Sequence, residues 1–181
     1  MYISPNAISL ALGIAFFFMF VSEYLRANKV GQVSIAIDKF YASVIDEKDS
    51  GKVIMSHIYL LFGCSFPIWL EGKISISSFS GLLAVGVADA IASIVGTRYG
   101  KRTWFKSKKT IEGTVGFIAS LILSCFLVDY ISTDSFQMSQ YYKAFIITVL
   151  STLIGLLEAV TLQNDNLMLT MVFYGLSKIL L

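Results

Sequence analysis

Six apolar stretches dominate this chain: Asn6–Ser22, Val53–Leu70, Phe79–Val95, Ile111–Ile131, Ala144–Val160 and Leu167–Leu181. Each approaches the roughly 20 mainly apolar residues that a helix needs to cross a bilayer. Of the 181 residues, 56% are hydrophobic and 14% are charged, against about 25% charged in soluble domains. The expected fold is therefore all-α, a polytopic helical membrane protein with about six transmembrane helices in a single membrane-embedded domain over residues 1–181. The sixth stretch is the shortest and follows the polar Asn164-Asp165-Asn166. The first lacks a preceding basic residue and a small-residue cleavage site before Glu23 and Arg26, so it reads as a retained helix rather than a secretory signal. Cys64 and Cys125 fall inside spans without paired spacing, which fits small packing residues better than a metal site.

Loop charges orient these spans. Arg26, Lys29, Lys39, Lys48 and Lys52 follow the first, and Arg98, Lys101, Arg102, Lys106, Lys108 and Lys109 follow the third, together eleven of the fourteen Lys and Arg residues. Lys73, Lys143 and Lys178 lie on the other side. By the positive-inside rule both cationic loops face the cytosol. Asp46, Glu47, Asp49, Glu112, Glu158 and Asp165 then fall at the cytosolic side as well. His57 enters the second span about one turn deep, and Asp89 lies about a turn and a half from the cytosolic end of the third.

Asp89 sits in the run Leu82-Leu83-Ala84-Val85-Gly86-Val87-Ala88-Asp89-Ala90-Ile91-Ala92-Ser93-Ile94-Val95. An ionisable group within a span costs roughly 2.5 to 3.5 kcal/mol on insertion scales, which makes a functional site the default reading. The bland alternative is a buried pair with Lys or Arg, or a hydrogen bond to a neighbouring helix. On an α-helix Gly86, Asp89, Ala90, Ser93 and Thr97 share one face, with Gly86 and Ala90 leaving space beside the carboxylate. Ala84, Ala88, Ala92 and Gly96 form a separate small-residue stripe suited to helix packing.

The loop Arg98 to Thr110 carries six cations and no anion. Phosphates are natural partners for it, although topology alone, or anionic lipid headgroups, would also account for single cations there. Gly96-Thr97-Arg98-Tyr99-Gly100-Lys101-Arg102 lacks the glycine spacing and the Ser or Thr after Lys that a P-loop needs. Lys108-Lys109-Thr110-Ile111-Glu112-Gly113-Thr114 is more specific. It sets two cations, a hydroxyl and a carboxylate at the start of the fourth span, where free amides and the positive end of the helix dipole favour anions. Thr110 is positioned to cap that helix, with Glu112 or Thr114 in its first turn. Together with Asp89, this points to a nucleotide phosphate site. A transport or proton-relay role for Asp89, with the lysines on anionic lipid, is the non-enzymatic competitor.

The run from Gly86 through Asp89 to Gly96, then Tyr99-Gly100 and Lys108-Lys109-Thr110-Ile111-Glu112-Gly113-Thr114, resembles the CTP-dependent polyprenol kinase family. Asp46-Glu47-Lys48-Asp49-Ser50-Gly51, His57-Ile58-Tyr59-Leu60-Leu61, Pro67-Ile68-Trp69-Leu70 and Asn164-Asp165-Asn166-Leu167 narrow the resemblance to its dolichol kinase branch. The likeness covers residues 40 to 170 and resembles only the C-terminal catalytic portion of that branch, whose members carry further spans ahead of it. A fainter likeness links the chain to phosphatidate cytidylyltransferases, which also use CTP. Ala88 stands where the family commonly has Gly, and Thr170 where Pro is expected.

The resemblance implies a membrane-embedded kinase whose motifs lie within residues 46–166. It would transfer the terminal phosphate of CTP to dolichol or a related polyprenol at the cytosolic face of the endoplasmic reticulum, for protein glycosylation. It implies the lipid bilayer as a partner, and no nucleic-acid polymer. Phosphoryl transfer depends on positioning and charge neutralisation. The expected metal site is Mg²⁺ between the CTP phosphates and Asp89, with Asp165 or Glu112 assisting. Lys108 and Lys109, with Lys101 or Arg98, would hold phosphates, and Thr110, Gly113 and Thr114 would close around them. Asp49 would position the nucleotide or act as base, with His57 as the rival base.

Overall fold

The computed structural model describes residues 4–42, 54–104, 109–132, 139–161 and 165–181, with the backbone alone at 41, 42 and 165. Helix α1 (Pro5–Ala27) is followed by α2 (Gly31–Ala42) and α3 (Met55–Glu71). A π-helical segment, Leu82–Asp89, runs directly into α4 (Ala90–Tyr99); α5 (Ile111–Ile131), α6 (Gln140–Val160) and α7 (Asp165–Leu180) complete the chain. Among the described residues there is no strand, only a single antiparallel bridge between Thr103 and Thr110.

Among the described residues, four helices are long and apolar enough to cross a membrane: α1, the continuous Leu82–Tyr99, α5 and α6. The other two expected spans form helices, but α3 has 17 residues and α7 has 16, against 21 each in α5 and α6. Four spans are thus clear by length and composition, and the expected count of six is not reached on that basis. Helix α2 lies in the first cationic loop, where no helix was expected. Its 12 residues pack on α1.

Within a bilayer, lipid is as apolar as a leucine side chain, so helices associate through close packing rather than through the hydrophobic effect. Small residues here permit that approach. Ala84, Ala88 and Ala92 are buried, as expected for a packing stripe, and α4 meets α5 along it. A Cβ on Gly113 would lie 3.0 Å from the Ala92 carbonyl oxygen, and one on Gly116 would lie 3.1 Å from Val95 Cγ2. Phe117 and Leu121 of α5, Ile147, Leu150 and Ile154 of α6 and Phe173 of α7 fill the centre. The π segment touches α3, α5 and α7 at once, whereas among the described residues α1 reaches only α2 and α3.

Helix α3 carries a proline at this crossing. Pro67 has no N–H for the carbonyl four residues back, which is that of Gly63. That carbonyl instead lies against Gly81, whose Cβ position would be 2.2 Å from it. Gly72 ends α3 with φ of 63°, the left-handed conformation that glycine adopts without strain, and its N–H donates to the Ile68 carbonyl. The turn that follows is buried and knitted by its own serines. Ser78 N–H donates to Ser75 Oγ and Ser75 N–H to Ser78 Oγ, both at 3.1 Å. At the start of α7, Thr170 Oγ1 donates to the Asn166 carbonyl at 2.7 Å and the helix runs on unbroken.

Candidate functional site

Asp89 and one side of α4, the start of α5 and the end of α6 line an open-sided cavity of about 300 Å³. Its wall is Asp89, Ala92, Ser93, Gly96 and Thr97 from one helix, Lys109, Thr110, Gly113 and Thr114 from the next, and Glu158 from α6. Asp89 ends the π segment and is half-buried. π-helical turns are rare and often mark functional sites. Their i→i+5 winding also changes which residues share a face. Gly86 and Ala90, expected beside the carboxylate on α-helical spacing, are exposed and line no part of the cavity. Ala92 and Gly96, members of the packing stripe, line the cavity with Asp89 instead.

Two glycines let α4 and the loop close on Thr110. A Cβ on Gly96 would stand 2.9 Å from Thr110 Oγ1, and one on Gly100 would stand 2.6 Å from Thr110 Cγ2 and 2.2 Å from the Gly96 carbonyl oxygen. The loop then folds back on itself. Trp104 N–H donates to the Lys109 carbonyl at 2.9 Å, and Ile111 N–H to the Arg102 carbonyl at 2.8 Å. The Trp104 indole N–H reaches Thr114 Oγ1 at 2.9 Å.

Thr110 is the N-cap of α5, its hydroxyl accepting from Gly113 N–H at 3.1 Å. This corrects one expectation about how an anion would be held. The Ile111 amide donates to the Arg102 carbonyl, that of Gly113 to Thr110 Oγ1 and that of Thr114 to the Thr110 carbonyl. The helix dipole still favours an anion here, but these three amides are already satisfied inside the protein. Charge on Lys109 therefore carries most of the attraction. Thr110→Val removes the cap acceptor while keeping the side-chain size; it is expected to cost about 1 kcal/mol. A lowered thermal midpoint of the purified protein, restored in Thr110→Ser, checks this.

Lys109 is held at the cavity wall by Glu158. Its Nζ lies 2.8 Å from Glu158 Oε1 and 2.5 Å from the Glu158 backbone oxygen, and the Glu158 side chain is only 8% exposed. Sequence reasoning placed Glu158 at the cytosolic side but gave it no role. The signal was available, because a carboxylate near the end of an apolar span carries the same insertion penalty that drew attention to Asp89.

Comparison with known proteins gives this cavity a setting. Over 179 residues, 96% of the chain, it is 35% identical to a protein of Arabidopsis thaliana named dolichol kinase EVAN. Over 158 residues it is 39% identical to the dolichol kinase of Homo sapiens, and over 185 residues 34% identical to dolichol kinase sec59 of Schizosaccharomyces pombe. The chain is homologous to the dolichol kinases. It covers 31%, 29% and 36% of those three relatives, about a third of their length, and corresponds to their C-terminal region. No family model and no solved structure matches it.

The remaining residues expected from the dolichol kinase likeness lie apart from the cavity or outside the described residues. Arg98 and Lys101 are exposed and do not line it. Glu112 turns toward the loop, accepting from Arg102 N–H at 3.3 Å. His57, at the start of α3, shares a hydrogen bond with Ser56 Oγ at 3.2 Å and lies near a buried polar group on α1. There Glu23, 4% exposed, takes Arg26 at 2.7 Å and the Ile54 N–H at 2.6 Å. Asp49 and Lys108 lie outside the described residues, as does the side chain of Asp165.

Proposed function

We propose that this chain is a membrane-embedded kinase domain that transfers the terminal phosphate of CTP to the hydroxyl of dolichol, giving dolichyl phosphate and CDP. The observation that carries this reading is the convergence of Asp89, Lys109 and Thr110 on one cavity, in a chain homologous to the dolichol kinases. A cavity of about 300 Å³ is at the lower bound of small-ligand sites. It suits the phosphates of a nucleotide, with the base and the lipid outside it.

In this reading Lys109 neutralises phosphate charge. Lys108, Lys101 and Arg98 extend the positive field along the approach, raising the rate at which a polyanion arrives. Thr110, Gly113 and Thr114 shape the wall against which the phosphates rest. The donor set fits a hard divalent cation such as Mg²⁺, because the wall presents carboxylate and hydroxyl oxygens without sulfur or imidazole. Among the described residues no three His, Cys, Asp or Glu side chains cluster closely enough to hold a metal. Mg²⁺ commonly binds through one or two carboxylates plus substrate phosphates and water, so Asp89 would hold it, with Glu112 and Asp165 as the assisting candidates. Bound there, the ion would supply charge neutralisation on the phosphates. Asp49 or His57 would take the proton from the dolichol hydroxyl.

The apolar helices fit a multi-pass membrane protein. Eleven of fourteen cations lie in two loops, which favours a site facing the cytosol, in the endoplasmic reticulum where dolichyl phosphate serves glycosylation. Incubation with γ-labelled CTP, Mg²⁺ and a panel of lipid alcohols tests the reaction. Label in dolichyl phosphate is expected. Label on a different alcohol would reassign the acceptor, and label released as pyrophosphate would identify a phosphatidate cytidylyltransferase-like reaction instead.

A further inference from the structure

The cavity holds an internal substitute for its ligand. Two carboxylates, Asp89 and Glu158, line the same small space as Lys109, so a polyanion entering alone would meet like charge on two sides. Glu158 is nearly buried, at the end of a membrane helix, and its carboxylate is engaged with Lys109. The Glu158 backbone oxygen takes the same ammonium group. A buried carboxylate must stay compensated, because removing its partner leaves an uncompensated charge in a low-dielectric setting, and here the Glu158 side chain is 8% exposed while that of Lys109 is 29% exposed. Phosphate can therefore draw on Lys109 only if something else takes over Glu158.

Resting on the nucleotide reading above, we propose that Glu158 exchanges partners when the site fills. Lys109 passes from Glu158 to a phosphate of the incoming nucleoside triphosphate, and Glu158 passes from Lys109 to the divalent cation that travels with those phosphates. Charge balances at each end of the exchange: ammonium with carboxylate before, ammonium with phosphate and carboxylate with cation after. Glu158 is thereby a specificity-determining residue. It holds the site closed to metal-free polyphosphate and opens it to the metal complex, since only the complex brings a cation for the released carboxylate. Glu112 sits less well for this task, because its carboxylate is spent on the amides of the loop.

The experiment measures CTP binding to the purified full chain by calorimetry, with Mg²⁺ and with EDTA, for wild type, Glu158→Gln, Lys109→Met and Asp89→Asn. Gln keeps the size of Glu and can still accept a hydrogen bond from Lys109, so the fold is retained; the thermal midpoint of each variant verifies this. In wild type, Mg²⁺ is expected to tighten CTP binding by more than tenfold. In Glu158→Gln, metal-free CTP is expected to bind about tenfold tighter than in wild type, equivalent to about 1.4 kcal/mol, and the Mg²⁺ enhancement to shrink to a fewfold. Metal-free binding no tighter than wild type, or an unchanged Mg²⁺ enhancement, overturns the exchange. If Lys109→Met and Asp89→Asn also bind CTP as wild type does, the nucleotide site itself is misplaced. If those two lose binding while Glu158→Gln matches wild type, the site stands and only the exchange fails.

Discussion

Asp89→Asn is expected to lower phosphate transfer from CTP by about 10² to 10³-fold, the scale seen when one preorganised electrostatic contact is removed from a reaction centre. The substitution changes charge and almost nothing else. Asn occupies the volume of Asp, so the close packing of Ala88 and Ala92 against neighbouring helices is undisturbed. The Asn variant is therefore expected to fold, with a thermal midpoint close to wild type. Label transfer in proteoliposomes measures the first effect, and the thermal midpoint in detergent measures the second. Activity within tenfold of wild type in a folded Asn variant would falsify a role for Asp89 in the reaction.

Gly81→Ala is expected to have the largest effect on the fold. The added methyl would stand 2.2 Å from the Gly63 carbonyl oxygen and 2.7 Å from Cys64 Cα. Both are backbone atoms, so no side chain can swing aside to make room. Overpacking typically costs 1 to 3 kcal/mol; a backbone clash at the junction of α3 and the π segment belongs at about 3 kcal/mol or above. Little folded protein should be recovered, and what is recovered should melt well below wild type. By contrast, Gly86 has open space around it, with Leu82 Cδ2 at 3.9 Å as the nearest atom. Gly86→Ala is the matched control and should leave the midpoint close to wild type. Equal midpoints for the two variants would remove the close crossing at Gly81 from the account.

Much of the helical layout was legible because lipid imposes a simple rule on sequence, long apolar runs. The boundaries of Ile111–Ile131 were readable to the residue, since Thr110 caps one end and a polar loop follows the other. The π winding before Asp89 was not. Leu82–Asp89 holds no proline, its one glycine, Gly86, gives no sign of the winding, and an apolar small-residue run gives the same pattern either way. The face assigned to Gly86 and Ala90 was lost with it. Helix α2 was hidden by length, because its 12 residues are too few for a span and were read as part of a charged loop.

The cavity was only partly legible. Asp89, Lys109, Thr110, Gly113 and Thr114 were found from the cost of a charge in lipid and from the chemistry of a helix start, and all five line it. Glu158 was missed as a partner because pairing across 49 residues is a fact of packing, not of spacing. Glu112 shows the converse. Its place at the helix start suggested a metal ligand assisting Asp89, yet its carboxylate turns to the loop and accepts from the Arg102 amide.

The unequal helix lengths make membrane thickness a variable of this fold. At 1.5 Å per residue α5 and α6 reach about 31 Å, while α3 and α7, which pack against each other, reach only about 25 Å. The α3–α7 pair is thus shorter than the α5–α6 pair. Mismatch costs a fraction of a kcal/mol per Å, and a bilayer of about 27 Å, typical of the endoplasmic reticulum, falls between the two lengths. A thicker membrane would place the whole difference at α3 and α7, drawing lipid headgroups inward beside them.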